Sequence, residues 1–291
     1  MPKKINHLPL NSEIDHYMLT EVIGGGGFSV VYLARKRDTN EQVVIKEYFP
    51  SRLSRRLESG EIAPKKGEKS VKLFNMGRKL FFQEAGILAN FNHPNIVNVT
   101  GFFSANGTIY TVMAYERGTS LHNLIRKQKG NVEEENLRKI FLPLLSSLRE
   151  VHQAGLLHLD IKPGNIFITK DYQPLLLDFG AVHKLVRLAE PRMFPVVSHG
   201  FSPPEQSYKT AELGPWTDIY AIGATMRTCI SGKAPPAAKE RRTKPEIMEP
   251  AEKEFKKHYN RNFLKAIDQA MALNPALRPQ TVDEFAAALT R

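Results

Sequence analysis

The sequence predicts an α+β fold with two lobes, a small strand-rich N-terminal lobe and a larger, mostly helical C-terminal lobe. In the first 114 residues, runs of β-branched and aromatic residues alternate with glycine, asparagine and aspartate turn signals. After Tyr115, apolar residues recur at spacings of three and four, which is typical of helices that pack on a core. The chain has 291 residues, of which 42% are hydrophobic and 24% charged, so one large domain or two lobes are expected.

The N-terminal lobe is predicted to contain an antiparallel sheet and one main helix. The helix is indicated by Leu80, Glu84, Ile87, Leu88 and Phe91, which share one face at helical spacing. The charged segment from residue 51 to residue 72 is predicted to be an exposed loop. The predicted strands are Tyr17–Ile23, Phe28–Ala34, Val43–Tyr48, Asn98–Phe103 and Thr108–Ala114.

The C-terminal lobe is predicted to begin with a long amphipathic helix over Val132–Ala154, in which Pro143 is expected to cause a kink. Two short strands follow at Ile166–Thr169 and Leu175–Leu177. Helical periodicity then extends from Trp216 to a closing helix over Asp283–Leu289.

Composition excludes several classes of protein. No stretch approaches the roughly 18 apolar residues of a transmembrane helix, and the N-terminus lacks the apolar stretch of a signal peptide. The single cysteine, Cys229, excludes an internal disulfide framework and a cysteine-based zinc site, and is expected in the core. An intracellular, cytoplasmic protein without direct membrane insertion is the simplest expectation.

The first chemical motif is the run Gly24–Gly27 between two predicted strands. Glycines let the backbone approach a phosphate closely, although a glycine-rich hairpin is also a common turn. A strand rather than a helix follows, which excludes a dinucleotide-binding fingerprint, and no Gly-Lys-Ser/Thr follows, which excludes a P-loop. Lys46 ends the next apolar strand, and Glu84 lies on an otherwise apolar helix face where a carboxylate requires a cationic partner.

Two further motifs place acidic, basic and amide side chains close together in the sequence. Residues 158–165 read His-Leu-Asp-Ile-Lys-Pro-Gly-Asn, and residues 178–180 read Asp-Phe-Gly after the apolar run 175–177. A carboxylate at the end of a buried strand, with an amide nearby, is suited to a magnesium ion.

These motifs, in this order, resemble those of the eukaryotic-type serine/threonine protein kinases, including bacterial members. The resemblance extends over nearly the whole chain, from about Tyr17 to Leu289. Ser-Pro-Pro-Glu at 202–205 stands in place of the family's Ala-Pro-Glu, and residues 216–223 resemble the helix whose buried aspartate supports the catalytic loop. Arg278 resembles the arginine that pairs with the glutamate of that motif, here Glu205.

The resemblance implies the bilobal protein kinase fold. It assigns residues 1–16 to an N-terminal extension and residues 17–291 to the kinase domain. Within that domain, the N-lobe is expected at about 17–114, the hinge at about 114–118 and the C-lobe at about 119–291.

The resemblance also implies the role of each site residue, with ATP and Mg²⁺ or Mn²⁺ as cofactors. Asp160 would orient or deprotonate the acceptor hydroxyl, and Lys162 would contact the transferring phosphate. Asn165 and Asp178 would hold the metal ions. The remaining residues would bind ATP: Gly24, Gly25, Gly26, Gly27 and Ser29 in the glycine loop, Lys46 with Glu84 at the phosphates, Val31, Val44 and Phe167 around the adenine, Met113 as gatekeeper, and Ala114, Tyr115 and Glu116 in the hinge.

Three residues depart from the family pattern. Ser29 replaces the third glycine of the loop, and Val44 replaces a common alanine, which narrows the adenine site. Leu159 replaces the arginine that receives the activation-segment phosphate in the family. The segment 180–205 contains no threonine and only two serines, Ser198 and Ser202, and Ser198 aligns with a position that usually hydrogen-bonds the catalytic aspartate. The sequence therefore predicts activity without activation-segment phosphorylation.

The formal net charge of +11 and the insert 52–72 admit two interpretations each. The insert is either a passive surface loop or a regulatory or docking element, because it leads into the helix that carries Glu84. The surplus positive charge lies mainly in this insert and in 233–261, where it is either solvated surface or a docking site for an acidic protein. No nucleic acid partner is expected, because aromatic residues are not interleaved with these charges.

Three functions from different classes remain open on the sequence alone. The first is an active kinase that phosphorylates a protein on serine or threonine, which the lysine two residues after Asp160 favours over tyrosine. The second is a pseudokinase, although Lys46, Asp160 and Asp178 are all retained. The third is a small-molecule phosphotransferase, against which the 203–205 motif and Arg278 argue.

Overall fold

The structure is a computed structural model, and it describes residues 7–178, 183–184, 198–208 and 210–291. The chain divides into two compact units. The N-terminal unit comprises Met1–Asn92 and Val97–Glu116, and the C-terminal unit comprises His93–Ile96 and Arg117–Arg291.

The N-terminal unit contains an antiparallel six-stranded sheet with the order β1-β2-β3-β4-β8-β7, a separate two-stranded hairpin and one long helix. The first four sheet strands follow one another in sequence, so turns connect them, whereas β7 and β8 return after the hairpin and the helix. In chain order the elements are β1 (Glu13–Ile14), β2 (Tyr17–Gly25), β3 (Ser29–Lys36), β4 (Gln42–Tyr48), β5 (Ser54–Arg56), β6 (Ile62–Pro64), α1 (Glu68–Leu88), β7 (Val99–Ala105) and β8 (Thr108–Ala114).

Strand β4 separates the core of this unit from the face that carries the predicted ATP-binding residues. Val43, Ile45 and Glu47 are buried on the core side, where Val43 and Ile45 join an apolar cluster. Side chains alternate along a strand, so Val44 and Lys46 point to the opposite face. The alternation of side chains along β4 therefore places core residues on one face and predicted ATP-binding residues on the other.

The prediction that residues 51–72 form an exposed loop is wrong. Strands β5 and β6 pair as a hairpin, Ser54 and Ile62 are buried, and the Ile62 N–H donates to the Asn106 carbonyl at 2.8 Å. Helix α1 already begins at Glu68. The high charge of this segment predicted that it would be exposed. One of its arginines, Arg56, nevertheless points into the protein.

Arg56 contacts the fully buried carboxylate of Glu47 with both terminal nitrogens, and one of these bonds, from Nη1 to Oε1, measures 3.0 Å. The hydroxyls of Tyr32 and Tyr110 also donate to Glu47, at 2.9 and 2.6 Å. A buried carboxylate is tolerated when its oxygens receive several hydrogen bonds and an opposite charge. The hairpin is therefore held to the sheet through a buried ionic cluster.

The buried stripe of helix α1 includes Leu88 of the predicted face but not Leu80. Phe74, Ala85 and Leu88 are buried and Phe81 packs against the same core, whereas Leu80 is 39% exposed. Leu80 lies one residue, or about 100°, from the buried stripe. Within the predicted face, Leu88 is therefore buried and Glu84 reaches Lys46, whereas Leu80 lies outside the buried stripe and Phe91 lies beyond the helix end.

The C-terminal unit is mostly helical, with a small three-stranded sheet of order β12-β11-β9 and a two-stranded pair β10-β13. Helix α4 is buried along most of its length and packs against α3, α7 and α8. In chain order the elements are β9 (Gly118–Ser120), α2 (Leu121–Gln128), α3 (Glu134–Gln153), β10 (Leu156–Leu157), β11 (Ile166–Thr169), β12 (Pro174–Leu176), β13 (His183–Lys184), α4 (Pro215–Ser231), α5 (Ala238–Thr243), α6 (Ala251–Glu254), α7 (Arg261–Ala270) and α8 (Val282–Thr290).

Several predicted elements of this unit are present within a residue or two of their predicted bounds. Helix α3 contains Pro143 in its interior, and α8 closes the chain as expected. Cys229 is fully buried in α4, and burial raises the pKa of its thiol. Across the described residues, no helix combines the length and the apolar character needed to cross a bilayer.

Candidate active site

In the N-terminal unit, strand register brings four predicted ATP-binding residues onto one face of the sheet. Val31 on β3 is directly opposite Lys46 on β4, and Val44 on β4 is opposite Met113 on β8. Residues opposite each other in antiparallel strands share a face, as do alternate residues of one strand. Met113 is buried and both valines are half-buried on this face.

Lys46 is positioned by helix α1. Its Nζ lies 3.7 Å from Glu84 Oε1, with 10% and 14% of the two side chains exposed. The same ammonium lies 5.3 Å from the centre of the Phe81 ring. The predicted pairing of Lys46 with Glu84 is therefore present, and it holds a lysine charge in a mostly buried position.

The glycine loop spans the end of β2, a tight turn and the start of β3. Gly24 and Gly25 close β2, and the Gly26 N–H donates to the Ser29 carbonyl at 2.9 Å. A Cβ on Gly25 would lie 3.0 Å from the Ser29 carbonyl oxygen, whereas one on Gly26 or Gly27 would meet nothing within 4 Å. Gly25 is therefore required by the turn itself, and the next two glycines leave the loop surface open.

The chain that follows β4 is hydrogen-bonded to this loop. The Phe49 N–H donates to the Phe28 carbonyl at 2.8 Å, and the Ser51 N–H donates to the Gly27 carbonyl at 3.0 Å. The residues just before the insert therefore hold the loop tip.

The predicted hinge residues lie at the end of the N-terminal unit. Ala114 closes β8, where its N–H donates to the Asn98 carbonyl at 2.9 Å, and Tyr115 and Glu116 follow it. Phe167 belongs to the C-terminal unit, on β11, where it is half-buried and paired with Ser120 and Leu175.

In the C-terminal unit, side-chain donors surround the Asp160 carboxylate. Lys162 Nζ donates to Oδ1 and Oδ2 at 2.9 and 2.7 Å, and Asn165 Nδ2 donates to Oδ2 at 2.8 Å. Ser198 Oγ donates to Oδ1 at 2.6 Å, and Lys162 Nζ also reaches Ser198 Oγ at 3.2 Å. Asp160 is 8% exposed, whereas a third of the Lys162 side chain is exposed.

The two predicted metal ligands lie on segments that are hydrogen-bonded to each other. The Leu177 N–H donates to the Asn165 carbonyl at 2.9 Å, and the next residue is Asp178, half-buried with a φ of 29°. Asn165 directs its Nδ2 at Asp160, so its Oδ1 is the amide atom available as an oxygen ligand. Phe179, Gly180 and most of the predicted activation segment lie outside the described residues.

The predicted catalytic loop, residues 158–165, is fixed to helix α4 through Asp218, as the sequence predicted. The carboxylate of this fully buried residue accepts the N–H of His158 at 2.9 Å and the N–H of Leu159 at 2.8 Å. His152 Nε2 lies 2.8 Å from Oδ2. Burial alone would raise the pKa of this carboxyl, but hydrogen bonding and charge from His152, with the His158 contacts, hold the pKa below its ordinary value.

Burial lowers the pKa of His158, which is fully buried. Its Nε2 lies 3.0 Å from the Leu177 carbonyl, and its Nδ1 accepts the Asp160 N–H at 3.2 Å. Both contacts suit a neutral imidazole with the proton on Nε2.

Three contacts were not predicted from the sequence. In the C-terminal unit, Gln206 Nε2 donates to the Leu159 carbonyl at 2.6 Å and His152 contacts Asp218. In the N-terminal unit, Arg56 contacts Glu47. No family motif pointed to these contacts. The predicted pair of Glu205 with Arg278 is present, with Nη1 to Oε1 at 2.6 Å and Nη2 to Oε2 at 3.1 Å.

Comparison with known proteins places this arrangement in a family. The protein kinase domain family matches residues 17–288. The chain is 30% identical over 233 residues to serine/threonine-protein kinase D of Synechocystis, which covers 76% of this chain and 42% of that protein. It is 29% identical over 224 residues to sperm motility kinase 3A of Mus musculus, which covers 75% of this chain and 38% of that protein.

The apo form of PpkA-294 is a solved structure with the same fold, at a TM-score of 0.86 and 37% sequence identity, covering 98% of this chain and 100% of that one. The two curated relatives are longer, and the matched region spans about two fifths of each. The expected bilobal fold, with a curled antiparallel sheet and a helical second lobe, is confirmed by this likeness. Because the family match includes nearly every residue that carries the site, the chain belongs to the protein kinase family.

Proposed function

We propose that this chain transfers the γ-phosphate of ATP to serine or threonine hydroxyls of a protein, with Mg²⁺ or Mn²⁺ as cofactor. The observation that carries the proposal is the set of donors around Asp160, namely Lys162, Asn165 and Ser198 at 2.6–2.9 Å. They hold a mostly buried carboxylate in one orientation beside a partly exposed lysine.

Asp160 is the acceptor for the proton of the attacking hydroxyl. A carboxylate within hydrogen-bonding distance orients that hydroxyl and takes its proton as the new P–O bond forms. Lys162 is exposed enough to exchange one of its contacts with Asp160 for an oxygen of the transferring phosphate. Both residues act by position and charge, which is the main requirement of phosphoryl transfer.

The nucleotide and metal ligands are assigned residue by residue. The donor set suits Mg²⁺, because Asn165 Oδ1 and the Asp178 carboxylate are hard oxygen ligands. Lys46, held by Glu84, binds the α- and β-phosphates. The glycine loop 24–29 is assigned to the phosphates. Val31, Val44 and Phe167 are assigned to the adenine ring, and Met113 to Glu116 are assigned to the adenine edge. When bound, the metal ion neutralises charge on the phosphates.

The acceptor is assigned to serine and threonine because Lys162 follows the catalytic aspartate by two residues and because the Synechocystis relative named above is a serine/threonine-protein kinase. The test incubates the protein with γ-labelled ATP, Mg²⁺ and a mixture of protein acceptors, followed by phosphoamino acid analysis, with Lys46→Met as the inactive control. Phosphoserine or phosphothreonine is expected. Label on tyrosine or only on small molecules would contradict the proposal, and ATP binding without transfer would indicate a pseudokinase.

Activity without activation-segment phosphorylation is the second part of the proposal. Ser198, one of two serines in 180–205, donates a hydrogen bond to Asp160. We therefore assign it a structural role rather than that of a phosphorylation site. Leu159 stands where an arginine would receive a phosphate. Phosphate-free protein should transfer phosphate without a lag. A lag that pre-incubation with ATP abolishes would contradict this.

The protein substrate or partner is proposed to be acidic, and the insert surface supports this. Among the described residues, Lys66, Lys69 and Lys72 are exposed and make no ion pair. Phosphorylation of an acidic protein should fall as salt is raised from about 0.05 to 0.5 M, while that of a short neutral peptide should not. Parallel salt curves would assign this charge to ordinary solvated surface.

A further inference from the structure

The peptide that precedes Asp160 is held in a strained conformation. Leu159 has a φ of 63°, in the left-handed region that leucine disfavours because its Cβ crowds the adjacent carbonyl. Such a conformation persists only where the surroundings fix it. The contacts that fix Leu159 therefore also affect the orientation of Asp160.

Among the described residues, three contacts hold Leu159. Its N–H donates to Asp218 Oδ1 at 2.8 Å, and its side chain is 4% exposed in a small cluster with Leu157 and Leu213. Its carbonyl accepts Gln206 Nε2 at 2.6 Å. The first two contacts fix the N–H and the side chain, whereas Gln206 is the contact that reaches the carbonyl.

That carbonyl shares a rigid plane with the Asp160 N–H. The Leu159 C=O and the Asp160 N–H belong to one planar peptide, so neither can rotate without the other. The Asp160 N–H donates to His158 Nδ1 at 3.2 Å, while the Leu159 oxygen accepts Gln206. The two hydrogen bonds thus hold opposite edges of the peptide from which the Asp160 side chain projects.

Gln206 is itself fixed by its neighbours. It is 5% exposed and lies in the short 3-10 turn Pro204–Ser207, and the preceding residue, Glu205, forms the buried pair with Arg278. The Thr217 hydroxyl also donates to Glu205, at 3.3 Å. A well-anchored turn therefore presents the Gln206 amide to the catalytic loop.

We propose that Gln206 is a positioning residue for Asp160, whose amide holds the Leu159–Asp160 peptide in the orientation that phosphate transfer requires. This inference rests on the proposed kinase function. Because residue 159 is a leucine, this position has no arginine to bind an activation-segment phosphate. The neutral hydrogen bond from Gln206 to the Leu159 carbonyl instead connects the 202–207 segment to the catalytic loop, and this bond does not require phosphorylation.

The first test replaces the amide with an isosteric thioether. Gln206→Met leaves the Leu159 carbonyl without this donor, and kcat for protein phosphorylation should fall about tenfold to a hundredfold. The KM for ATP should change by less than about twofold, because Gln206 is not among the assigned nucleotide ligands.

Asn95→Leu is the matched control. Asn95 is also 5% exposed and also donates its side-chain amide to one backbone carbonyl, that of Pro174, at 2.7 Å. The control should lose a comparable amount of stability and keep kcat within about twofold. An unchanged kcat in Gln206→Met, or equal losses of kcat in both variants, would overturn the proposal.

A second test relieves the strain directly. Glycine adopts the left-handed region without the penalty of a Cβ, so Leu159→Gly should lessen the dependence on Gln206. The kcat loss caused by Gln206→Met should shrink to about threefold or less in the Leu159→Gly background. Losses that simply multiply in the double variant would show that Gln206 does not act through this peptide.

A third readout does not depend on catalysis. Backbone amide hydrogen exchange at 158–161 should be faster in Gln206→Met than in wild type and unchanged in Asn95→Leu. If the wild-type protein transferred no phosphate, the proposed function would fail, and exchange alone would decide whether Gln206 holds this peptide. Unchanged exchange in Gln206→Met would refute the inference even in an active kinase.

Discussion

Asp160 and Asp218 are both buried carboxylates of the C-terminal unit, but they receive different kinds of hydrogen bond. Asp218 is fully buried and accepts two backbone N–H groups as well as His152. Asp160 is slightly exposed, and its carboxylate oxygens accept from the side chains of Lys162, Asn165 and Ser198.

The difference separates a carboxylate that holds the backbone from the one that is proposed to react. Backbone donors cannot move without unfolding the loop, so Asp218 is committed to holding residues 158 and 159 in place. Side-chain donors can rotate and exchange an oxygen of Asp160 for an oxygen of a substrate. The same residue type thus serves two purposes, which variants at the two positions should distinguish.

Replacement of Asp218 should have the largest effect. In Asp218→Asn, one carboxylate oxygen is replaced by an amide NH₂, which cannot accept the hydrogen bonds that this oxygen accepts. The free energy of unfolding should therefore fall by about 3 kcal/mol or more. Phosphate transfer should fall as well, because the loop that carries Asp160 loses its anchor. Denaturant unfolding and kcat would be measured together.

Asp283→Asn is the control for this variant, because Asp283 pairs with Arg149 at the exposed surface. Its unfolding free energy should change by less than about 1 kcal/mol. An Asp218→Asn variant as stable as Asp283→Asn would contradict the structural role of Asp218.

The buried carboxylate of the N-terminal unit, Glu47, extends the comparison. Arg56→Met removes its cationic partner, and the free energy of unfolding should fall by about 3 kcal/mol. Addition of Glu47→Gln should recover part of this loss, because the uncompensated charge is then removed. Denaturant unfolding of the single and double variants measures the recovery.

This variant also tests whether the insert acts on catalysis, separately from any docking of a partner on its lysines. We expect kcat to stay within about twofold of wild type under conditions where the protein is folded. A large fall in kcat for folded Arg56→Met would instead show that the insert acts on catalysis. Arg55→Met is the control, since Arg55 is exposed on the same hairpin.

Removal of one donor from Asp160 should have a moderate effect confined to catalysis. Ser198→Ala leaves Lys162 and Asn165 on the carboxylate, and kcat should fall about tenfold with little change in stability. Ser147→Ala is the control, because Ser147 is buried and donates to the Leu144 carbonyl within α3. Equal kcat in both variants would remove Ser198 from the positioning of Asp160.

The smallest effect concerns the protonation of His158. Its pKa is lowered by burial, although the carboxylates of Asp218, Asp160 and Asp178 act in the opposite direction. As pH falls below the ordinary value of 6.5, the unfolded chain takes up a proton that the folded chain resists, so this residue lowers stability at acidic pH. Its NMR resonance should titrate below 6.5, and a midpoint at or above that value would contradict the neutral imidazole.

The sequence was sufficient to predict the elements and contacts that depend on family motifs. Strand β8 was predicted with its observed bounds, and the pairs Lys46–Glu84 and Glu205–Arg278 were expected from motif order alone. These contacts follow from the family because the motifs encode them.

The contacts specific to this chain could not be predicted in the same way. Arg56 and Gln206 lie outside the family motifs that were recognised. Gln206 is distant in sequence from Leu159, and no pattern indicated that Arg56 rather than its charged neighbours would turn toward Glu47. The insert was predicted as a loop because its charge outweighed the short alternation around Ile62. Leu80 was wrongly assigned to the buried face of α1 because Leu80 and the adjacent Phe81 are equally apolar.

The most direct test of the account is phosphate transfer by Asp160→Asn at saturating ATP, compared with wild type. We expect kcat to fall by about a hundredfold to ten-thousandfold, while the affinity for ATP and the unfolding free energy stay close to wild type. That result would show that Asp160 takes part in phosphate transfer and that the stability of the fold depends on other groups, such as Asp218. An Asp160→Asn variant that transferred phosphate at the wild-type rate would contradict the central claim.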